Sequence, residues 1–171
     1  MTLNPDLLRS SFELVIDRQP QLTTRFYEIL FRRYPHVRPL FGRNSGVNQA
    51  QMLQSALVAV IDLLEDAAWL RDTLHAMGKK HVDYGVTDEM YGWVGASLLE
   101  TLAEAAGRDW TPELEAAWVA AYGAIASLMQ QGAREAVASA GRAGGQLGAA
   151  GASHGQHAEQ KQRADEDVGA E

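Results

Sequence analysis

The chain has 171 residues, the usual length of one domain and enough to bury a sizeable core. Acidic residues outnumber basic ones by 22 to 15, and the formal charge of −7 argues against nucleic acid as a partner. Cysteine is absent, which excludes disulfides, thiolate nucleophiles and iron–sulfur clusters, so any metal must be held by histidine or carboxylates. The sequence lacks a signal-peptide pattern and an apolar run near ~18 residues, which predicts a cytoplasmic protein without membrane contact.

Composition divides the chain into a folded domain, residues 1–140, and a flexible Gly/Ala-rich tail, residues 141–171. Half of the 16 glycines follow Gln131, and no aromatic residue follows Tyr122. Such a segment cannot bury a core, so we expect it to be disordered. The folded part lacks alternating strand patterns and is rich in Ala, Leu, Glu, Gln and Arg, which predicts an all-α domain.

Prolines mark the first helices. Asn4 as cap and Pro5 in the first turn predict a helix with an apolar stripe. A second helix is predicted over residues 21–34, because its apolar residues recur at helical spacing and Pro35 ends the run. A short turn with a second proline, Pro39, follows.

Four further helical segments are predicted after a glycine-containing loop. The first spans about residues 47–65, and the next carries residues 69–81. Thr87 can cap a helix that Gly107 ends, and the last helix starts at Thr111. The total is six or seven helices.

His81, at the end of its helix, is the first candidate for chemistry. A histidine near a helix end is more often a surface or capping residue than a ligand. Three runs of residues around it favour the role of a ligand, because they occur in a defined order. These runs are Pro39-Leu40-Phe41, Gln49-Ala50-Gln51-Met52-Leu53 and Lys80-His81-Val82-Asp83-Tyr84-Gly85-Val86.

Together with residues 26–31 and 118–123, these runs resemble the bacterial single-domain haemoglobins and the haem domain of flavohaemoglobins, which are members of the globin family. The resemblance spans nearly all of residues 5–133 and leaves out the tail. It implies a globin fold around a pocket for haem b, iron protoporphyrin IX, with His81 as the iron ligand. A five-coordinate iron needs one such neutral imidazole on a rigid helix.

The resemblance also implies the other residues of the pocket. Tyr27 and Gln49 match the positions that stabilise a bound ligand on the side opposite His81. The competing register pairs Gln51 with Ser55, and it places a hydroxyl where the family has an apolar residue. The implied cofactor contacts are Phe41, Leu53, Leu57, Lys80, Val86, Tyr91 and Val94.

One feature of the family pattern is missing. Flavohaemoglobin-like proteins support the iron-bound histidine with a tyrosine and a glutamate. Tyr91 matches the tyrosine, but the position of the glutamate falls on Ala133, and Glu135 could replace it only after a shift in register. A weaker electron push on the iron favours oxygen binding over peroxidase-like O–O cleavage.

We therefore expect a haem protein that binds oxygen, and also NO or CO, reversibly for storage, delivery or scavenging. The alternative is an NO dioxygenase with a separate reductase, because the last ~35 residues are too few for a flavin or nicotinamide domain. A second alternative is a haem-based gas sensor whose tail signals to a partner. Sequence leaves the oligomeric state open between monomer and homodimer.

Overall fold

The computed structural model describes the backbone of residues 4–41, 46–62 and 66–165 and the side chains of residues 4–41, 50–62 and 66–142. The chain forms two compact units, Met1–Ala133 and Arg134–Glu171. The first unit contains every site residue discussed below.

Helices make up the described part of the chain, which contains no strand, so the all-α prediction is confirmed. None of these helices combines the length and the hydropathy that crossing a membrane requires. Short 3₁₀ helices occupy Pro35–Phe41 and Gly107–Asp109. The α-helices are α1 (Pro5–Arg18), α2 (Leu22–Arg33), α3 (Gly46–Asp62), α4 (Ala67–Asp83), α5 (Asp88–Ala106) and α6 (Pro112–Asp165).

The start of α1 follows the predicted capping. The side chain of Asn4 accepts a hydrogen bond from the backbone N–H of Leu7 at 3.1 Å, and Pro5 stands where a missing N–H costs nothing. The helix buries an apolar stripe that includes Leu8, Phe12 and Val15. This face joins the main core, which also contains Phe26, Leu30, Leu98, Leu102, Leu114 and Trp118.

Ion pairs connect α2 to α5 at the surface. Arg25 Nε lies 2.8 Å from Glu104 Oε2, and Arg32 and Arg33 both pair with Glu100. Exposed pairs of this kind contribute little to stability because water screens the charges, so the apolar core, and not these charges, stabilises the contact between the two helices.

Two glycines bring α4 and α6 into backbone contact. A Cβ atom on Gly78 would lie 1.9 Å from the carbonyl oxygen of Met129, and one on Gly132 would lie 2.2 Å from that of His75. No larger residue fits at either position without moving a helix. Because Gly78 lies three residues before His81, the contact sets the place of His81 in the fold.

The first compact unit ends at Ala133, and α6 is helical as far as Asp165. The division into a folded domain over residues 1–140 and a flexible tail over residues 141–171 stays a prediction.

Candidate functional site

A cavity of about 530 Å³ lies inside the first unit. Its volume is within the range of small-molecule and cofactor sites. Its wall is formed almost wholly by aliphatic, aromatic and methionine side chains, and His81 is the one histidine among them in the part of the chain that the structure describes. The cavity therefore suits a large apolar ligand that needs one nitrogen donor.

His81 is half-buried near the end of α4 and is hydrogen-bonded to its own helix. Its Nδ1 lies 2.8 Å from the carbonyl oxygen of Met77. A carbonyl can only accept, so Nδ1 carries the proton and Nε2 keeps a lone pair. Burial lowers the pKa of His81, although the hydrogen bond to Met77 opposes this shift. The net result is a neutral imidazole, the form that binds a metal, near pH 7.

Tyr91, in the first turn of α5, packs against this imidazole. The two ring centroids are 6.2 Å apart and the ring planes are inclined by 27°. Tyr91 is only 6% exposed, and among the described residues its hydroxyl has no hydrogen-bond partner. Burial, and to a smaller extent the charge of Asp88, raises the pKa of Tyr91, so the hydroxyl stays neutral.

An aromatic cluster around Tyr27 forms another part of the wall. The ring of Tyr27 lies 5.0 Å from that of Phe26, 5.7 Å from Phe31 and 5.5 Å from Phe41. These edge and stacked contacts belong to α2 and the 3₁₀ helix that follows it. They hold the Tyr27 ring through its faces and edges.

The structure brings together most of the predicted site residues. Their side chains come from several different segments, and the same cavity contains all of them. These residues are Tyr27, Phe41, Leu53, Leu57, His81, Val86, Tyr91 and Val94.

The remaining predicted positions differ from this group. Gln49 belongs to α3, but its side chain lies outside the described residues. Gln51 and Ser55, the competing register, are exposed and do not line the cavity. Lys80 is also exposed and does not line the cavity, because one helical step from His81 turns its side chain outward, and its cofactor contact stays a prediction.

Four methionines in the wall were missed by the sequence analysis. They are Met52, Met77, Met90 and Met129. Helical spacing was the available signal, because Met77 precedes His81 by four residues and Met90 precedes Val94 by four. Thioether side chains fill irregular space, so they adapt this wall to the shape of a ligand.

The donor set fits a cofactor that brings its own metal-binding ring. The described residues contain no group of three or more His, Cys, Asp or Glu side chains that could hold a free metal ion. One neutral imidazole in an apolar, aromatic wall suits a metal whose other ligands come from a flat macrocycle. Haem is such a group.

Comparison with known proteins agrees with this geometry. The family model for globins matches residues 24–129. The chain belongs to the globin family. The matched range includes Tyr27, His81 and Tyr91, and it ends before Ala133.

This globin is similar to the flavohemoprotein of Bordetella pertussis, with 33% identity over 125 residues, 72% of this chain and 31% of that protein. It thus spans about a third of the length of the curated relatives that it matches. Among solved structures it is similar to a candidate nitric oxide dioxygenase from Rhodothermus marinus, engineered as a carbene transferase, with a TM-score of 0.71 and 27% identity over 82% of this chain and 99% of that one.

A second similar structure is a bacterial globin from Campylobacter jejuni. It has a TM-score of 0.66 and 26% identity, and the match covers 77% of this chain and 94% of that one. The predicted globin fold is thus confirmed.

Proposed function

We propose that this globin holds haem b through His81 and binds dioxygen, NO or CO reversibly, for storage, delivery or scavenging. The observation that carries the proposal is the neutral, hydrogen-bonded imidazole in the wall of an apolar cavity of about 530 Å³. When bound, haem supplies an iron with an open coordination position for a diatomic ligand. The polypeptide chain supplies the imidazole ligand, the apolar wall of the cavity and the hydrogen-bond donors to the bound gas.

The neutral form of His81 is essential to its proposed role. The carbonyl of Met77 accepts a hydrogen bond from the protonated Nδ1, and this leaves the lone pair of Nε2 to bind iron. Burial disfavours the imidazolium, which could not bind a metal. Phe41, Leu53 and Leu57 exclude water from the cavity and provide an apolar contact surface for the macrocycle.

Tyr27 is the proposed donor to the bound gas. Its ring lies in the cavity wall, where a phenol O–H in a water-poor site stabilises negative charge on a ligand. Gln49 is the proposed second donor. Two donors slow the release of oxygen, so we expect high oxygen affinity.

The test is reconstitution with haem followed by a visible spectrum. We expect a strong porphyrin band in the wild-type protein and loss of stable haem retention in His81→Ala. His36→Ala is the control, because His36 is exposed and does not line the cavity. A protein that shows no porphyrin band after haem addition, or a His81→Ala variant that retains haem like the control, would contradict the proposal.

NO dioxygenation is the second candidate, favoured by the description of the Rhodothermus relative and by the flavohemoprotein names of the curated relatives. It requires a reductase as electron donor, and we propose that a separate protein supplies it. Stopped-flow mixing of the oxygenated protein with NO, with and without a flavin reductase, separates the two functions. Nitrate formed over many turnovers supports the enzyme, and a single turnover supports the binding protein.

A further inference from the structure

Arginine and aromatic side chains form a patch where α2, the 3₁₀ helix that follows it and α5 meet. This arginine–aromatic patch consists of Arg33, Tyr34, His36, Arg38 and Trp93. Trp93 is half-buried and lines the cavity. The Tyr34 ring is stacked on the Trp93 ring, with centroids 5.2 Å apart and planes inclined by 16°, and the His36 ring meets it edge to face at 4.9 Å. Trp93 therefore connects the cavity wall to the exposed imidazole of His36.

The patch is positively charged, although the whole chain has a formal charge of −7. Arg32 and Arg33 share one carboxylate, that of Glu100, so one positive charge remains after pairing. Arg38 is exposed and holds its guanidinium 4.6 Å from the ring centroid of Phe31. It takes part in no ion pair with another described residue. Positive charge that no carboxylate offsets thus lies beside the rings that lead to the cavity.

The residue types of the patch are those that contribute most to protein interfaces. Arginine, tryptophan and tyrosine are enriched among the residues that dominate binding energy. Ring contacts also hold both arginines, because the Cζ atom of Arg33 lies 5.7 Å from the ring centroid of Tyr34 and Arg38 lies over Phe31. Side chains that are ordered before binding lose less entropy when a partner binds. The patch therefore suits a protein with an acidic surface.

We infer that the arginine–aromatic patch is the docking surface for an acidic, flavin-bearing protein that donates single electrons. The inference rests on the proposed function, because a haem that binds oxygen must be ferrous. The anionic flavin hydroquinone gives up one electron and becomes the neutral semiquinone, and the haem iron passes from ferric to ferrous. No bond forms or breaks, and no proton moves.

The location of the patch suits this role because electron tunnelling slows steeply with distance. A donor that docks on the patch lies against Trp93, whose indole also lines the cavity. The electron therefore enters where one aromatic side chain spans the distance from the interface to the cavity. Nucleic acid is the other class of partner that arginines and aromatic rings attract, and the overall charge of −7 repels it.

The first experiment measures docking by titration calorimetry. The probe is oxidised flavodoxin, an acidic protein that carries flavin mononucleotide, added to the haem-reconstituted globin at low ionic strength. We expect Arg38→Glu to weaken binding roughly 10-fold, because repulsion replaces attraction, and added salt to weaken wild-type binding more than binding to this variant. Arg71→Glu is the matched control: Arg71 is exposed, lies in α4 outside the patch and gives the same change in net charge. It should bind flavodoxin almost as the wild type does.

The second experiment measures the electron step by stopped-flow mixing of reduced flavodoxin with the ferric globin. We expect Arg38→Glu to lower the second-order rate constant roughly 10-fold, and Trp93→Leu to lower the limiting rate at saturating flavodoxin. Trp93→Phe keeps a ring at this position and should stay closer to the wild type. Trp69→Leu is the control for loss of a tryptophan, because Trp69 does not line the cavity. Dithionite, a small reductant, should reduce Arg38→Glu as fast as the wild type.

Three results would overturn the inference. The first is equal binding of flavodoxin by the wild type, Arg38→Glu and Arg71→Glu. The second is a limiting rate that Trp93→Leu leaves unchanged. The third is a single-stranded oligonucleotide that binds in place of flavodoxin and is lost in Arg38→Glu, which would assign the patch to nucleic acid. Arg38→Gln replaces the Glu variant where the latter does not fold.

The same titration on the haem-free globin separates failure of this inference from failure of the proposed function. A wild-type protein that takes up no haem but binds flavodoxin through Arg38 defeats the proposed function and supports the docking surface. A protein that takes up haem and binds oxygen, but whose affinity for flavodoxin does not depend on Arg38, defeats the docking surface alone.

Discussion

The part of the cavity wall around His81 and the part around Tyr27 are built differently. The position of His81 is set by backbone: the carbonyl of Met77 accepts a hydrogen bond from its Nδ1, and Gly78 brings α4 onto the backbone of α6. Tyr27 is surrounded by side chains of an aromatic cluster. Backbone contacts have few alternative arrangements, whereas side chains can repack. The difference predicts that His81, the proposed iron ligand, is held precisely, and that the region around Tyr27, the proposed donor to the bound gas, is adaptable.

The largest expected effect comes from Gly78→Ala. The new Cβ atom would lie 1.9 Å from a backbone oxygen of Met129, so α4 must move away from α6. We expect a loss of about 3 kcal/mol in the free energy of unfolding, measured with denaturant, and faster haem loss. Gly123→Ala on α6 is the control, because a Cβ atom at that position would meet nothing within 4 Å, and it should be stabilised by up to about 1 kcal/mol. Equal changes in the free energy of unfolding for Gly78→Ala and Gly123→Ala would refute the claim that backbone contact between α4 and α6 sets the position of His81.

The variant Tyr27→Phe tests the part of the cavity wall around Tyr27. The ring contacts remain, so the unfolding free energy should change little, while the donor to the bound gas is lost. One hydrogen bond of about 1.4 kcal/mol corresponds to roughly tenfold faster oxygen release, measured by stopped-flow displacement with CO. An unchanged release rate would remove Tyr27 from the proposed ligand contacts.

The burial of His81 predicts a pH dependence in the haem-free protein. Because burial lowers the pKa of His81 in the folded state, the unfolded state binds the proton more readily. Stability should therefore be complete above the unfolded pKa of about 6.5 and decrease as the pH falls through the lower folded pKa. Denaturant midpoints from about pH 7.5 to pH 5 measure this loss. A His81→Gln variant should flatten it, and an equally steep decline in that variant would assign the titration to another group.

Lys80→Ala should have the smallest effect. The side chain is exposed and does not line the cavity, so stability should stay within about 0.5 kcal/mol and haem retention should be unchanged. Weaker haem retention in this variant would support the cofactor contact that the family resemblance implied.

Most helix boundaries could be predicted from single residues because their causes are local. Asn4 and Pro5 start α1, and Pro35 ends α2, through interactions within one turn of the chain. The contacts of Gly78 and Gly132 could not be predicted, because a glycine inside a helix indicates only weak propensity until a partner helix is known.

Some features of the site could likewise be predicted from the sequence, and others could not. Leu53, Leu57 and Val94 could be placed by helical spacing together with the family resemblance, and the structure puts all three in the cavity wall. The acceptor for His81 could not be predicted, because it is a backbone carbonyl and every residue type carries one. The environment of the Tyr91 hydroxyl likewise depends on three-dimensional packing, because a tyrosine in a helical pattern carries no signal of what surrounds its oxygen.

The hydrogen bond from His81 to the Met77 carbonyl has a consequence for how this globin tolerates change. The group that orients the imidazole belongs to the main chain, so no substitution at position 77 can delete it while the helix persists. The methionine side chain is then free to vary with the shape of the ligand beside it. Support of the proposed iron ligand and fit to the proposed cofactor are thereby separated within one residue, and selection can alter the fit without loss of the support.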